Sequence, residues 1–267
     1  MKTKKLFNVK KLTVLITLAI LVIFFSGCEK GVFCISGKGE IVSSTITVAE
    51  FSEIEASGAF DVVVTEGDIQ IVEIVGHQNM IDKVNAVVIH DRLEVDLKRG
   101  CYNDYELTIY VTTPDIQKVK LSGSGEIVIE EFNELEKLDL IIDGSGNING
   151  EYNFPINNLS FLITGSGNIN FKTTSLNITS TIDGSGNVNL SGTTGTHDIK
   201  VEGSGSFHTF DLISDNTSIY VEGSGDSEVN VNENLDIDIF GSGDVYYKGH
   251  PNLTINISGS GNVYNAN

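Results

Sequence analysis

"IIDGSGNING", residues 141–150, sets a Gly-Ser-Gly triplet directly after an aliphatic-polar-aliphatic run. The triplet occurs eight times, with middle serines Ser124, Ser145, Ser166, Ser185, Ser204, Ser224, Ser242 and Ser260. Successive serines are 21, 21, 19, 19, 20, 18 and 18 residues apart. A period near 20 residues marks stacked units, none of which buries its own apolar face. Two residues before the first glycine stand Leu121, Ile142, Ile163, Ile182, Val201, Val221, Ile239 and Ile257. Four before it stand Val119, Leu140, Phe161, Ser180, Ile199, Ile219, Ile237 and Ile255; four after it, Ile127, Ile148, Ile169, Val188, Phe207, Ser227, Val245 and Val263. Apolar residues thus hold even offsets and polar ones odd offsets, the period-two pattern of half-buried strands.

Both glycines fall on even, inward offsets. They let the backbone bend there, or let the next coil approach without a Cβ in the way. Each triplet therefore reads as the corner of a coil, and residues 121–267 as an all-β solenoid. The expected form is a right-handed parallel β-helix of ~20-residue coils, about 38 Å long at the spacing of strands in a sheet. A Greek-key sandwich is the alternative, though it repeats one corner less strictly.

Residues 44–120 read as an N-terminal β-rich cap. "IEASGAFDVVV" is expected to be an imperfect ninth copy, with Ala56 replacing the first glycine and Gly58 as the second. "FDVVVTEGDIQIVEIVG" predicts a hairpin turning at Glu66-Gly67-Asp68. "NMIDKVNAVV" predicts a short helix capped by Asn79, and "RLEVDLKRG" and "YELTIYVTTP" predict strands. This region should close one end of the solenoid, and the polar "GNVYNAN" should act as a modest cap at the other.

The N-terminus reads as an address. Lys2, Lys4, Lys5, Lys10 and Lys11 precede an apolar run from Leu12 to Phe25, too short to span a membrane. Residues 1–27 are thus expected to be a signal peptide, with 28–43 a tether. Phe25-Ser26-Gly27-Cys28 resembles a bacterial lipobox, which implies cleavage before Cys28 and lipidation of its thiol. More than one acyl chain would make that a stable membrane anchor. The chain carries −19, and with +5 on the first 27 residues, −24 remains on the rest. Such a surface repels nucleic acid. Cys34 and Cys101 remain as an even pair in an oxidising space, either bridged or as two thiols.

The opening "FSEIEASGAFDVVVTEG", the junction "TTPDIQKVKLSGSG" and the serial "GSGN" corners together resemble the putative auto-transporter adhesin, head GIN domain family. The resemblance covers residues 44–264 and is most specific at "GSGNIN", Gly144 to Asn149 and Gly165 to Asn170. It implies a β-helical fold in the bacterial cell envelope, on the surface or the periplasmic face.

Candidate sites are few. Asp183, Glu202 and Glu222 stand directly before the glycine in three successive coils, which offers oxygens for Ca²⁺, or solvated acids at a bend. Asn147, Asn168 and Asn187 suit a turn and predict a stacked amide ladder. Tyr246 and Tyr264 share one outward offset, with Tyr220 and Tyr247 near them in sequence, a candidate patch for sugar rings or a subunit contact. Catalysis has little support. The two arginines, Arg92 and Arg99, lie outside the repeats, the five histidines recur in no column, and Gly-Ser-Gly lacks the strand-to-helix context of a nucleophile elbow. The expectation is a non-enzyme without cofactor that binds a glycan, or an envelope or host protein; the alternative is a structural envelope component with a periplasmic partner, and a carbohydrate-active enzyme comes third.

Overall fold

The computed structural model describes residues 34–267, so the expected signal segment and Cys28 lie outside the described residues. These residues divide into two compact units. The described part of the smaller comprises residues 34–36 and 100–103. There Cys34 and Cys101 form a disulfide with their Cα atoms 4.5 Å apart. The Ile35 N–H donates to the Cys101 carbonyl at 2.8 Å beside it. The larger unit holds the repeats, and its regular elements are all strands apart from one helical turn.

In the repeats, β10 (Leu135–Gly144), β11 (Asn147–Gly165), β12 (Asn168–Gly184), β13 (Asn187–Val201), β14 (Phe207–Val221) and β15 (Ser227–Ile239) each pair in parallel with the next. Register follows the period: Gly144 meets Gly165, which meets Gly184. Leu140, Phe161, Ser180, Ile199, Ile219 and Ile237 likewise stack as one buried inward column. Each rung thus closes the aliphatic face of the rung before it, and the fold is a parallel β-solenoid.

The corners explain the triplet. The Gly144 carbonyl accepts N–H bonds from both Ser166, at 2.8 Å, and Gly167, at 3.2 Å, on the next rung. That double acceptance draws the two backbones so close that a Cβ on Gly165 would sit 2.3 Å from the Gly144 oxygen. The φ of Gly165 is also +140°, outside the range L side chains adopt readily. The serine between the glycines is exposed at all eight corners. It is therefore the spacer, and the glycines make the fit.

The N-terminal region departs from expectation in three places. β2 (Glu53–Gly58) and β3 (Asp61–Glu66) form a true solenoid rung, which pairs in parallel with β8 (Lys118–Gly123) and β9 (Glu126–Ile129). In it Gly58, not Ala56, aligns with Gly123, because the Gly58 carbonyl takes the two corner bonds from Ser124 and Gly125. Phe60, buried, stands where the second glycine is elsewhere.

The expected hairpin at Glu66-Gly67-Asp68 does not form. β7 (Leu107–Thr113) occupies the other edge of β3 in parallel, so β4 (Ile71–His77) pairs antiparallel on the far side of β7 and then with β1 (Ile41–Ile46). Similarly, β6 (Arg92–Leu97) lies parallel to β2, and β5 (Val84–Ile89) closes that wall antiparallel to β6. The helix is the single turn α1 (Gln78–Ile81). Its N-cap is His77; Asn79 lies inside it and accepts the Lys38 N–H at 2.9 Å instead.

The other end also differs. β16 (Val245–Gly249) and β17 (Asn252–Ile257) stack on β15, and β18 (Val263–Asn265) stacks on β16. "GNVYNAN" thus continues the rung instead of folding over the core. Leu253, Ile255 and Ile257, which cover Leu235, Ile237 and Ile239, are themselves 41 %, 44 % and 43 % exposed.

Ser180, the one polar residue in its inward column, has a partner. The Ser180 hydroxyl and the His197 Nε2 of the next rung share a hydrogen bond of 2.9 Å, and the ring meets Phe207 edge-on. Burial pushes the His197 pKa down to about 3 from 6.5. The native chain keeps this ring neutral while the unfolded chain protonates it near 6.5, so its contribution is complete above that pH and falls as pH drops toward 3.

Two outcomes follow. Unfolding measured against pH should show stability falling by about 1 kcal/mol per unit below pH 6.5 from this site, and the double variant His197→Leu/Ser180→Ala should remove that part of the slope. Gly165→Ala should lower the unfolding free energy by about 3 kcal/mol, whereas Ser166→Ala should change it by less than about 0.5 kcal/mol in the same denaturant titration.

Candidate functional site

The strand that leaves each corner turns alternate side chains outward. Five residues after the first glycine, the register aligns Asn149, Asn170, Asn189, His208, Glu228, Tyr246 and Tyr264 in one outward column. With neighbouring strands about 4.8 Å apart, these seven residues run on the order of 30 Å along the solenoid. Their chemistry changes in steps. Asn149 Nδ2 donates to Glu126, Asn170 Nδ2 donates to Asn149 Oδ1 at 2.7 Å, and Asn189 Nδ2 donates to Asn170 Oδ1 at 2.7 Å. His208 Nδ1 and Glu228 Oε2 then meet at 3.2 Å. The column finishes in two stacked rings, Tyr246 and Tyr264, with centroids 5.1 Å apart and planes 19° from parallel. Burial first, then the carboxylates of Asp244 and Asp226, raise the Tyr246 pKa, so the phenol stays protonated at neutral pH.

A shallow cavity of about 420 Å³ lies beside the amide part of this column. Asn170, Asn189, His208, Lys172, Ser191 and Asp211 are among the residues that line it. The face therefore offers ordered amide donors and acceptors, one cation, an imidazole and a flat aromatic end. None of these groups is paired as a nucleophile with a base.

A second column, three residues after the first glycine, is structural. Asn168 Nδ2 donates to Asn147 Oδ1 at 3.1 Å, and Asn168 Oδ1 accepts both the Asn187 N–H at 3.1 Å and its Nδ2 at 3.2 Å. The same side-chain-to-backbone step continues through Ser206, Asp226, Asp244 and Asn262. These side chains satisfy N–H groups where the backbone turns away from its ladder. A third ladder, unread in the sequence, joins Asn158, Asn177 and Thr196 and, further along, Asn216, Asn234 and Asn252. Its signal was available, since those residues repeat at the same period.

The other sequence candidates separate. Tyr246 and Tyr264 come together, but Tyr247 packs partly buried against the core. Tyr220 lies before a corner and Tyr246 after one, so the two stand on different walls. Tyr220 instead packs on Phe240, centroids 5.3 Å apart, and its hydroxyl donates to Glu222 at 2.8 Å. Glu202 pairs with Lys200 at 2.9 Å, and Asp183 is exposed. Among the described residues no group of three acidic, histidine or cysteine side chains is arranged to hold a metal ion, and Asp183, Glu202 and Glu222 are no exception.

The family model described as "Putative auto-transporter adhesin, head GIN domain" matches residues 50–251, and the chain belongs to that family. Among solved structures, a "putative lipid binding protein" from Parabacteroides distasonis is 24% identical. That match covers 88% of this chain and 100% of that one, with a TM-score of 0.82. A "putative adhesin" from the same species is also 24% identical, with 87% and 99% covered and a TM-score of 0.80. One from Parabacteroides merdae is 21% identical, with 87% and 99% covered and a TM-score of 0.78. At these identities the likeness establishes the shared fold. No curated protein matches the chain.

The ladder predicts a local cost. Asn168→Ala leaves the Asn187 N–H without its side-chain acceptor and should lower the unfolding free energy by about 1–2 kcal/mol, with Asn168→Asp, which keeps an acceptor, losing less in parallel thermal melts.

Proposed function

We propose that this member of the head GIN domain family is a non-catalytic binding module of the cell envelope, lipid-anchored through Cys28, whose outward column from Asn149 to Tyr264 takes a glycan. The observation that carries the reading is the Tyr246–Tyr264 stack at the end of an ordered amide ladder. A sugar presents one apolar ring face and a rim of hydroxyls. Aromatic side chains serve the first, with an apolar body and a polar tip. Side-chain amides already held by their neighbours serve the second at small ordering cost. The amide cavity and the tyrosines lie on one wall, so one chain molecule can meet both.

Charge narrows the ligand. A surface with this acidic excess disfavours uronic or sulfated glycans and favours neutral or amino sugars. The anchor reading rests on the basic start, the short apolar run and the lipobox-like residues before Cys28. It makes the binding face an extracytoplasmic one.

A glycan array probed with the wild-type chain and with Tyr246→Ala and Tyr264→Ala tests the proposal. Binding to neutral glycans should fall about tenfold or more in each variant while the circular dichroism stays unchanged. Absence of any binding to neutral or amino-sugar glycans, or equal binding by wild type and variants, overturns it.

A further inference from the structure

The stack leaves one rung uncovered. β17 hydrogen-bonds to β15 along one edge, and no described strand pairs with its other edge. Its inward side chains, Leu253, Ile255 and Ile257, have the same alternation as every buried rung, yet each is more than two-fifths exposed. A free edge carrying an aliphatic face is the feature that proteins usually protect with charge or proline inside the strand. Here the protection is missing. In a chain with 36 acidic residues, residues 251–267 contain no acidic or basic side chain, while β15 just beneath carries Asp236 and Asp238.

We infer that this face is a docking surface for a second copy of the chain, joined through antiparallel pairing of β17 with β17. The strand is self-complementary about Ile255. With Ile255 opposite Ile255 of the second copy, Leu253 falls opposite Ile257, so all inward residues stay on the core side. Thr254 and Asn256 then face each other on the solvent side. Because the side-chain period is two, this register extends the sheet without turning any apolar residue outward. A two-fold contact of this kind closes on itself and yields a dimer instead of a growing fibre. The charge pattern selects the partner: two copies repel over their acidic walls and can approach where charge is absent. The inference rests on β17 alone and is independent of the glycan reading.

Two measurements on the full-length chain in detergent micelles test it. Under mild oxidation, Ile255→Cys should form a disulfide-linked dimer across the two-fold. Leu253→Cys should not, because its two copies are offset by about 14 Å along the strands. In sedimentation, the wild-type chain should be dimeric and Ile255→Asp, which sets two carboxylates face to face, should raise the dimer dissociation constant by about 100-fold. A monomeric wild type, an oligomer larger than two, an Ile255→Asp dimer of unchanged strength, or equal cross-linking at the two cysteine positions each overturns the inference. The cross-linking comparison stands even where Ile255→Asp loosens the last rung.

Discussion

The fold depends on one close approach. At each corner a glycine carbonyl accepts the serine N–H of the corner above, at five of the eight contacts it accepts the following glycine N–H as well, and the backbone that makes those bonds leaves no room for a Cβ. Everything else follows from that contact. Because successive corners are in contact, the strands that enter and leave them run in register, and register puts like residues over like along the whole stack. Aliphatic side chains then make a continuous core inside, and amides make continuous ladders outside. A corner carrying alanine would have to move apart, and the mismatch would spread to the walls on both sides of it.

Much of this was legible because the period is visible without any knowledge of the fold. Even offsets separated core from surface correctly in every coil but the last, where Ile255 and Ile257 are exposed, and the glycine positions marked the corners. What could not be read was whatever depends on which segment sits beside which. Gly58 and Ala56 both fit the even offsets, and only the carbonyl contact with Ser124 and Gly125 decides between them. The β3–β4 turn has good hairpin residues, yet β7 arrives from later in the chain and takes the edge. Ser180 looked like a lapse in the pattern until His197, one rung on, supplied its partner.

The candidate site was half legible for the same reason. Tyr246 and Tyr264 share an offset and were found by counting, whereas Tyr220 and Tyr247 are near them in sequence and belong elsewhere in space. In a solenoid, separation along the chain is a poor guide to proximity unless it is a multiple of the period. The column containing Asn149, Asn170, Asn189, His208 and Glu228 obeys that rule, but its changing chemistry hides it from a search for repeated residue types.

The order in which the chain lays down its first rungs has a consequence for assembly. The rung made by β2 and β3 lies between the rung of β6 and β7 and the rung of β8 and β9, both of which come later in the sequence. The first of these neighbours begins only at residue 92 and is complete only once the polypeptide has been made past residue 113, so this part cannot be wound up as it emerges. It must condense as one unit from distant segments, the slow kind of step. From β10 onward, each new coil finds a finished edge waiting and can add in the direction of synthesis. The molecule thus pairs an obligatory seed with a zipper. Added or lost repeats on the zipper side leave the seed intact, which makes coil number the dimension along which such a chain can lengthen or shorten.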